Sequence, residues 1–430
     1  MNHWFTAIVV ALGSLGSTRS VEAQPYKSGD QVVVIRHGTL RDDAGKEVGP
    51  VWPGLVITVR EIKGESLLLD AGKPGWLAAN KVIPADRRAI ERLTILLQAK
   101  PQTETPSGLA AIYAGRAHLQ SIFGDHARAI ADYDEAIRLD PTSLFFLLRG
   151  LTRLPEKQYD QAINDADEAN KLIPNSWLAC AIRGYARRGK KEFDQAIKEF
   201  DEAVRLNPQD VHLYAVRGQT WGIKREFAKA IGDCNEALRR DPKSATAFTA
   251  RGSIRLIEGK VDQALDDFNE ALRIEPTSVD AYNYRGASRF LNRDPEAIAD
   301  FRRVIELEQG SNIFTTYAAL LGYFAARRLN DDAGAEKFLA DGAKPLKPDE
   351  WPAPLFEYLR GKRDETTLLK LAVDDDQRTE ARYYLGLAAL AQGRMPAARE
   401  HFRWAVDSGS KSSREYTFAE AELKRLDAAK

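Results

Sequence analysis

Hydrophobic positions recur at helical spacing along most of the chain, and the helical pattern itself repeats. Arg-Gly stands at Arg149-Gly150, Arg183-Gly184, Arg217-Gly218, Arg251-Gly252 and Arg285-Gly286, at intervals of 34 residues, and Arg116-Ala117 precedes the first by 33. Ala129, Ala162, Ala196, Ala230 and Ala264 follow the first five of these arginines by thirteen, and Ala297 follows Arg285 by twelve. Seven residues further on come Ala136, Ala169, Ala203, Ala237, Ala271 and Val304. Pro141, Pro174, Pro208, Pro242 and Pro276 close the repeats. A period this regular predicts stacked helix pairs, because one pair cannot bury its apolar face alone. The small residues allow close helix approach. Tyr113, Phe146, Tyr214, Phe248 and Tyr282, three before an arginine, fill the gap between repeats. Ser143, Ser176, Asp210, Ser244 and Ser278, two after each proline, are expected to cap the next helix.

The pattern changes outside residues 107–309. From Gly29 to Pro84 short apolar runs, Gln31 to Arg36, Leu55 to Ile62, Ser66 to Leu69 and Lys81 to Ile83, alternate with Gly, Pro, Asp and Asn. These predict strands, and a segment this short buries one face of each strand only by closing on itself. Ala89, Leu93, Leu96 and Pro101 give residues 86–101 the pattern of a connecting second helix. Residues 311–427 read as degenerate repeats and a cap. In them 313–343 is one weak repeat, Pro345 to Pro354 a loop, and Tyr384, Gly386, Ala398, Phe402 and Ala405 restore the register. Tyr416, Ala419, Leu423 and Leu426 predict a final capping helix.

The start of the chain reads as an address. Phe5 to Leu15 is an apolar run too short to span a bilayer, and Val21-Glu22-Ala23 has small residues where a signal peptidase reads. Residues 1–23 are therefore expected to be a signal peptide, and the mature protein to be periplasmic or secreted, with no stable membrane insertion.

Composition narrows the chemistry. The 430 residues carry 62 Lys plus Arg against 62 Asp plus Glu, so no long-range field steers the chain to nucleic acid. Two cysteines cannot form a disulfide framework. Cys180 and Cys234 both occupy core positions and are expected to be buried and unpaired. The six histidines are scattered, and no phosphate-loop, nucleophile-elbow or dinucleotide motif occurs. Asp374-Asp375-Asp376 lacks the glycine turn and twelfth-position Glu of a calcium loop and reads as a solvated turn between helices. No enzyme activity, cofactor or metal is expected.

Each repeat arginine has an acid sixteen residues later, fifteen in the last case. These are Asp132, Asp165, Glu199, Asp233, Asp267 and Asp300, opposite Arg116, Arg149, Arg183, Arg217, Arg251 and Arg285. A ladder of bidentate pairs along the helix seam is expected, because the planar fork of Arg matches a carboxylate. The rival reading is a row of arginines reaching for an acidic ligand.

The pattern resembles the tetratricopeptide repeat family across residues 107–309. The ending Gly75-Trp76-Leu77 and Val82-Ile83-Pro84 resembles the last strands of bacterial SH3-like barrels. Residues 351–426 resemble the C-terminal part of periplasmic repeat lipoproteins that act as adaptors, without their lipidated cysteine. Together these imply a mainly α chain, a right-handed α-solenoid of tetratricopeptide helix pairs preceded by a small SH3-like β-barrel. The implied function is a non-catalytic scaffold whose concave face binds a protein or peptide. Candidate groove residues are Tyr185, Arg188, His212, Gln219, Thr249 and Asn283. The alternative is binding of cell-wall peptidoglycan by the barrel, with Trp52 and Trp76 as its ligand face; those two tryptophans equally suit plugging and covering the barrel.

Overall fold

The computed structural model of the chain describes residues 30–34, 38–41, 46–51, 56–63, 66–71, 73–78, 82–98, 105–308, 313–344, 346–347 and 349–428. The expected signal peptide, residues 1–23, and Trp52 lie outside them. The chain divides into two compact units, Met1–Asn207 and Pro208–Lys430.

The first unit begins with β1 (Gln31–Val34), β2 (Gly38–Arg41), β3 (Glu47–Val51), β4 (Val56–Lys63), β5 (Ser66–Ala71), β6 (Lys73–Ala78) and β7 (Val82–Pro84). They form an antiparallel sheet in the order β3-β2-β6-β5-β4-β1-β7. Trp76 lies on β6, in register with Leu68 on one side and Arg41 on the other. Among the described residues no pairing joins β3 to β7, so the expected SH3-like closure is not seen. Pro50 in β3 and Pro84 in β7 supply a physical reason: proline has no N–H for a second ladder and belongs on edge strands.

Helices follow. α1 (Arg87–Gln98) packs Ala89 and Leu93 against Ile112 and Leu119 of the next helix. Three helix pairs complete the unit: α2 (Pro106–Ile122) with α3 (His126–Leu139), α4 (Ser143–Arg153) with α5 (Tyr159–Leu172), and α6 (Trp177–Gly189) with α7 (Phe193–Leu206). The second unit holds α8 (Val211–Ile223) with α9 (Phe227–Arg240), α10 (Ala245–Glu258) with α11 (Val261–Ile274), and α12 (Val279–Leu291) with α13 (Ala297–Leu307). It continues with α14 (Ile313–Arg328) and α15 (Asp332–Ala343), the short α16 (Ala353–Leu359) and α17 (Glu365–Leu371), then α18 (Asp375–Ala391) with α19 (Met395–Ser408), and ends at α20 (Arg414–Ala428).

Three local devices make these pairs. Ser176, Asp210, Ser244 and Ser278 cap the first helices through their side-chain oxygens. In the pair that opens at α4, Thr142 is the cap instead of the expected Ser143. Ser143 lies one residue inside the helix and donates to the carbonyl of Ala169, tying α4 to the end of α5. The turn between the two helices needs a left-handed residue eight positions after each repeat arginine. Gly124 and Gly259 supply it cheaply, while Lys157, Lys191, Arg225 and Arg293 adopt the same positive φ despite their side chains. Finally, the glycine of Arg-Gly lies against an aromatic ring of the second helix at Gly184, Gly252 and Gly286. A Cβ added at Gly184 or Gly252 would come within 2.6 Å of Phe200 or Phe268. The degenerate pairs use the same contact, Gly322 on Phe338 and Gly386 on Phe402.

Gly252→Ala is therefore expected to destabilise the protein by about 1–3 kcal/mol, because a well-packed ring must give way. Gly232, inside α9 with nothing within 4 Å of an added Cβ, is the control. Gly232→Ala is expected to stabilise by about 0.5–1 kcal/mol. Urea unfolding checks both, and equal effects of the two substitutions would refute the ring contact as a packing constraint.

Candidate functional site

The repeat arginines build a polar seam in each unit. In the first, Arg116 donates from Nε and Nη2 to the two oxygens of Asp132 at 2.6 and 2.7 Å. Arg149 bonds Asp165 at 2.5 Å, and Arg183 bonds Glu199 at 2.9 Å. In the second, Arg217 bonds Asp233 at 2.6 Å, Arg251 bonds Asp267 at 2.7 Å and Arg285 bonds Asp300 at 2.6 Å. Nη1 of several of these arginines also reaches the preceding repeat. Arg149 meets Asp134 at 2.5 Å, Arg183 meets Asp167 at 3.2 Å, Arg251 meets Asn235 at 2.7 Å and Arg285 meets Asn269 at 2.9 Å. Five of the guanidinium groups lie over the aromatic ring three residues earlier, at 5.4–5.7 Å from its centre. Arg183 has Cys180 there and donates to its Sγ at 3.3 Å. One planar cation thus holds its own second helix and, where these bonds form, the repeat before it.

A second arginine, four residues after the first, was not anticipated. Arg153, Arg255 and Arg289 bond the carboxylates of Asp165, Asp267 and Asp300 at 2.6–2.8 Å, and Arg187 approaches Glu199 at 3.5 Å. The signal was available as Arg-x-x-x-Arg, one helical turn apart. Carboxylates closely clasped by two arginines are 3 % exposed, whereas Asp233, whose repeat has Trp221 in place of the second arginine, is 13 % exposed.

The groove candidates divide by unit and by burial. Tyr185 and Arg188, on α6, are half-buried, with the guanidinium 5.1 Å from the ring centre. Tyr185 also meets Phe200 edge-on at 5.4 Å. His212 and Gln219, on α8, are half-buried. Thr249 and Asn283 are not groove residues: both are buried, and the Thr249 hydroxyl donates to the carbonyl of Ala245 in its own helix. The physical reason is that α8, α10 and α12 pack against one another, so the middle of each first helix faces a neighbour. Trp76 is placed only by its strand register.

Cys180 and Cys234 are buried and unpaired, and burial pushes the Cys234 thiol up to about 12. Asp374 caps α18 by accepting from the Gln377 N–H. Among the described residues, no group of three or more His, Cys, Asp or Glu side chains is arranged to hold a metal ion, and no helix is long and apolar enough to cross a membrane.

The second unit has a polar nest that the repeat pattern does not foretell. Glu380 of α18 accepts from Trp351 Nε1 at 2.7 Å and from the Tyr317 hydroxyl at 2.9 Å. Burial, and then the nearby charge of Glu415, push its carboxyl up to about 8 against the pull of those two donors. Glu415 of α20 is itself buried and accepts from Arg414 and Ser413 at 2.8 Å each.

Two outcomes follow from these contacts. Asp165→Ala leaves Arg149 and Arg153 partly desolvated and is expected to cost about 3–5 kcal/mol in urea unfolding. Asp134→Ala, at a carboxylate that is 52 % exposed, is expected to cost at most about 1 kcal/mol. Equal losses would argue against the seam. Glu380 holds its proton more tightly folded than unfolded. Its contribution is therefore complete below about 4.5 and lost as pH rises through about 8. The melting midpoint measured from pH 4.5 to 8.5 should fall less steeply in Glu380→Gln than in the parent, and identical slopes would contradict the shifted carboxyl.

Comparison with known proteins adds a profile match over part of the chain. The tetratricopeptide repeat profile matches residues 87–143, 182–245, 223–279 and 366–413. A comparison with curated proteins finds no match. Among solved structures, the chain is similar to MamA at 25% identity, covering 37% of this chain and 94% of that one, with a TM-score of 0.32. It is similar to the type IV pilus biogenesis factor PilW at 19% identity, covering 48% and 95%, with a TM-score of 0.40. The Cut9–Hcn1 assembly of APC/C aligns at 15% identity over 79% of this chain and 58% of that one, with a TM-score of 0.50. The Arg-Gly period, the glycine-on-ring packing and the profile agree that the matched residues, which lie in both compact units, have the tetratricopeptide repeat pattern.

Proposed function

We infer that the protein is an exported, non-catalytic scaffold that holds a protein or peptide on the face formed by the first helices of its repeats. The observation that carries this reading is the contrast between frame and face. Arginine, acid, small residue and cap recur at fixed places, whereas the position just after Arg-Gly changes from Leu151 to Tyr185 to Gln219, all half-buried, before Ser253 and Ala287 are buried there. A frame held constant while this row varies in size and polarity over the three repeats that expose it suits recognition of a partner. Tyr185 and Arg188 offer a flat, stacked surface with hydrogen-bond donors, the chemistry that accepts an extended backbone or a carboxylate. Export rests on the apolar run Phe5 to Leu15 and the small residues at Val21 and Ala23.

Photo-crosslinking tests the face. A benzophenone side chain at 188 or 219 is expected to trap a partner in the cell envelope, on a mature chain beginning at Gln24. The same group at Glu202 or Lys229, on second helices, is expected to trap none. Adducts from the second helices alone, or a chain that retains Met1, would sink the binding face or the export respectively.

A further inference from the structure

The last helix does more than cover the end of the array. α20 packs on α18 and α19, and also reaches back to α12. Arg425 donates to the carbonyl of Leu291 at the end of α12, at 2.5 Å. Phe418 meets the ring of Tyr383 on α18 at 5.9 Å. In its first turn, Tyr416 lies under the guanidinium of Arg225, 5.5 Å from the ring centre, and Arg225 approaches Glu420 one turn on at 3.5 Å. Arg225 belongs to the turn after α8, several repeats earlier in the chain. Glu422, fully buried, is met by Arg328 of α14 at 3.1 Å and by Arg293 of the turn after α12 at 3.5 Å. Arg328 is braced on the Phe290 ring at 3.8 Å. Three arginines from three different helix pairs thus converge on two acids of one helix.

Two features of this contact separate it from an ordinary cap. The first is where the arginines sit. Positions 225 and 293 are left-handed turn positions, where glycine stands at 124 and 259. Arginine there costs backbone strain that a glycine avoids, and both arginines point their charge at α20. The second is the quality of the seam. The Thr417 hydroxyl, the Tyr383 hydroxyl and Nη1 of Arg225 are buried at or beside α20 without a hydrogen-bond partner among the described residues. Each loses its hydration without replacing it, so beside its apolar contacts the helix carries charge across a partly unsatisfied interface.

We propose that α20 is a displaceable occupant of the first-helix face of the second unit, and that the partner which replaces it there is an acidic amphipathic helix read by Arg225, Arg293 and Arg328. This rests on the reading of the first-helix face as the binding surface. It adds that the second unit is closed until α20 leaves. An incoming helix must present an aromatic residue and two carboxylates in the spacing of Tyr416, Glu420 and Glu422. Its apparent affinity is reduced by the fraction of chains in which α20 is docked.

The test uses the full chain. Arg225→Gly with Arg293→Gly removes two of the three arginines while placing at each turn the residue used at 124 and 259, so the pairs themselves should fold. Amide exchange over residues 414–428 is expected to quicken at least about tenfold in this variant, with exchange in α10 and α11 unchanged. A labelled synthetic peptide of residues 410–430 is then offered to the parent and to Tyr416→Ala/Glu420→Lys, whose own helix is loosened and whose arginines are intact. Binding at least about tenfold tighter to the variant, lost when the peptide carries lysine at 420 and 422, supports displacement. Unchanged exchange in α20, equal peptide affinity for both chains, or a shift of the clamp variant to dimers by sedimentation would overturn it. A partner trapped at position 188 in the first unit is independent of α20, so a failed displacement leaves the scaffold reading standing and a failed crosslink does not by itself remove the displacement.

Discussion

Everything in the array hangs on a guanidinium held flat between two helices. Its plane lets one side chain bond a carboxylate across its own pair, lie near an aromatic ring one turn earlier, and in most of the described repeats touch the repeat before it. A lysine has no such geometry: a point charge would satisfy one of these partners and leave the others. The carboxylate in turn is out of water, so neither partner can be removed without stranding the other. The seam therefore sets the distance between helices as firmly as the apolar contacts do, and the small residue beside each arginine, Ala117 once and glycine otherwise, makes that distance possible.

The repeat built around Arg217 shows how the frame tolerates exceptions. Cys234 stands where Phe200, Phe268 and Phe301 fill the space beneath a glycine, and Gly218 consequently faces a sulfur instead of a ring. Trp221 takes the place of the second arginine and joins the same apolar cluster as Cys234 and Ile254. The volume lost at one position is recovered one turn away from the arginine. The cost appears in Asp233, which keeps one arginine and is more exposed than Asp165, Asp267 and Asp300, which have two. Lys229 lies over the Trp221 ring at 4.4 Å, so the tryptophan still meets a cation, from the second helix instead of the first.

What the sequence reveals follows from what is periodic. The helix pairs, the arginine, its acid and the glycine recur, and a recurrence needs no knowledge of contacts to be read. The turn residue also recurs, eight after each arginine, but only Gly124 and Gly259 advertise it; Lys157, Lys191, Arg225 and Arg293 hide the same backbone conformation behind ordinary side chains. Thr249 and Asn283 look like groove residues on a helical wheel because a wheel has no neighbours. Once adjacent first helices pack side by side, both fall into the gap between them. The strands are legible for the same local reason, by alternation. Their closure is not, because pairing across a sheet depends on which N–H groups remain available, and Pro50 and Pro84 subtract theirs at the two edges.

The least periodic segment carries the most information about use. Residues 415–419 are buried in five consecutive positions, which no helix achieves against a single flat surface. α20 must therefore lie within surroundings on several sides, and those surroundings come from helices distant in sequence. Apolar packing alone would have held it, and the Phe418 and Ala419 contacts, continued by Leu423 and Leu426, do so. Among these contacts the chain also uses arginines at turn positions that favour glycine, together with acids that are costly to bury. Such residues add little stability relative to apolar replacements of similar volume. What they add is selectivity for charge and register. A contact built that way is suited to exchanging one helix for another with the same charges, and poorly suited to sealing the end of an array for good.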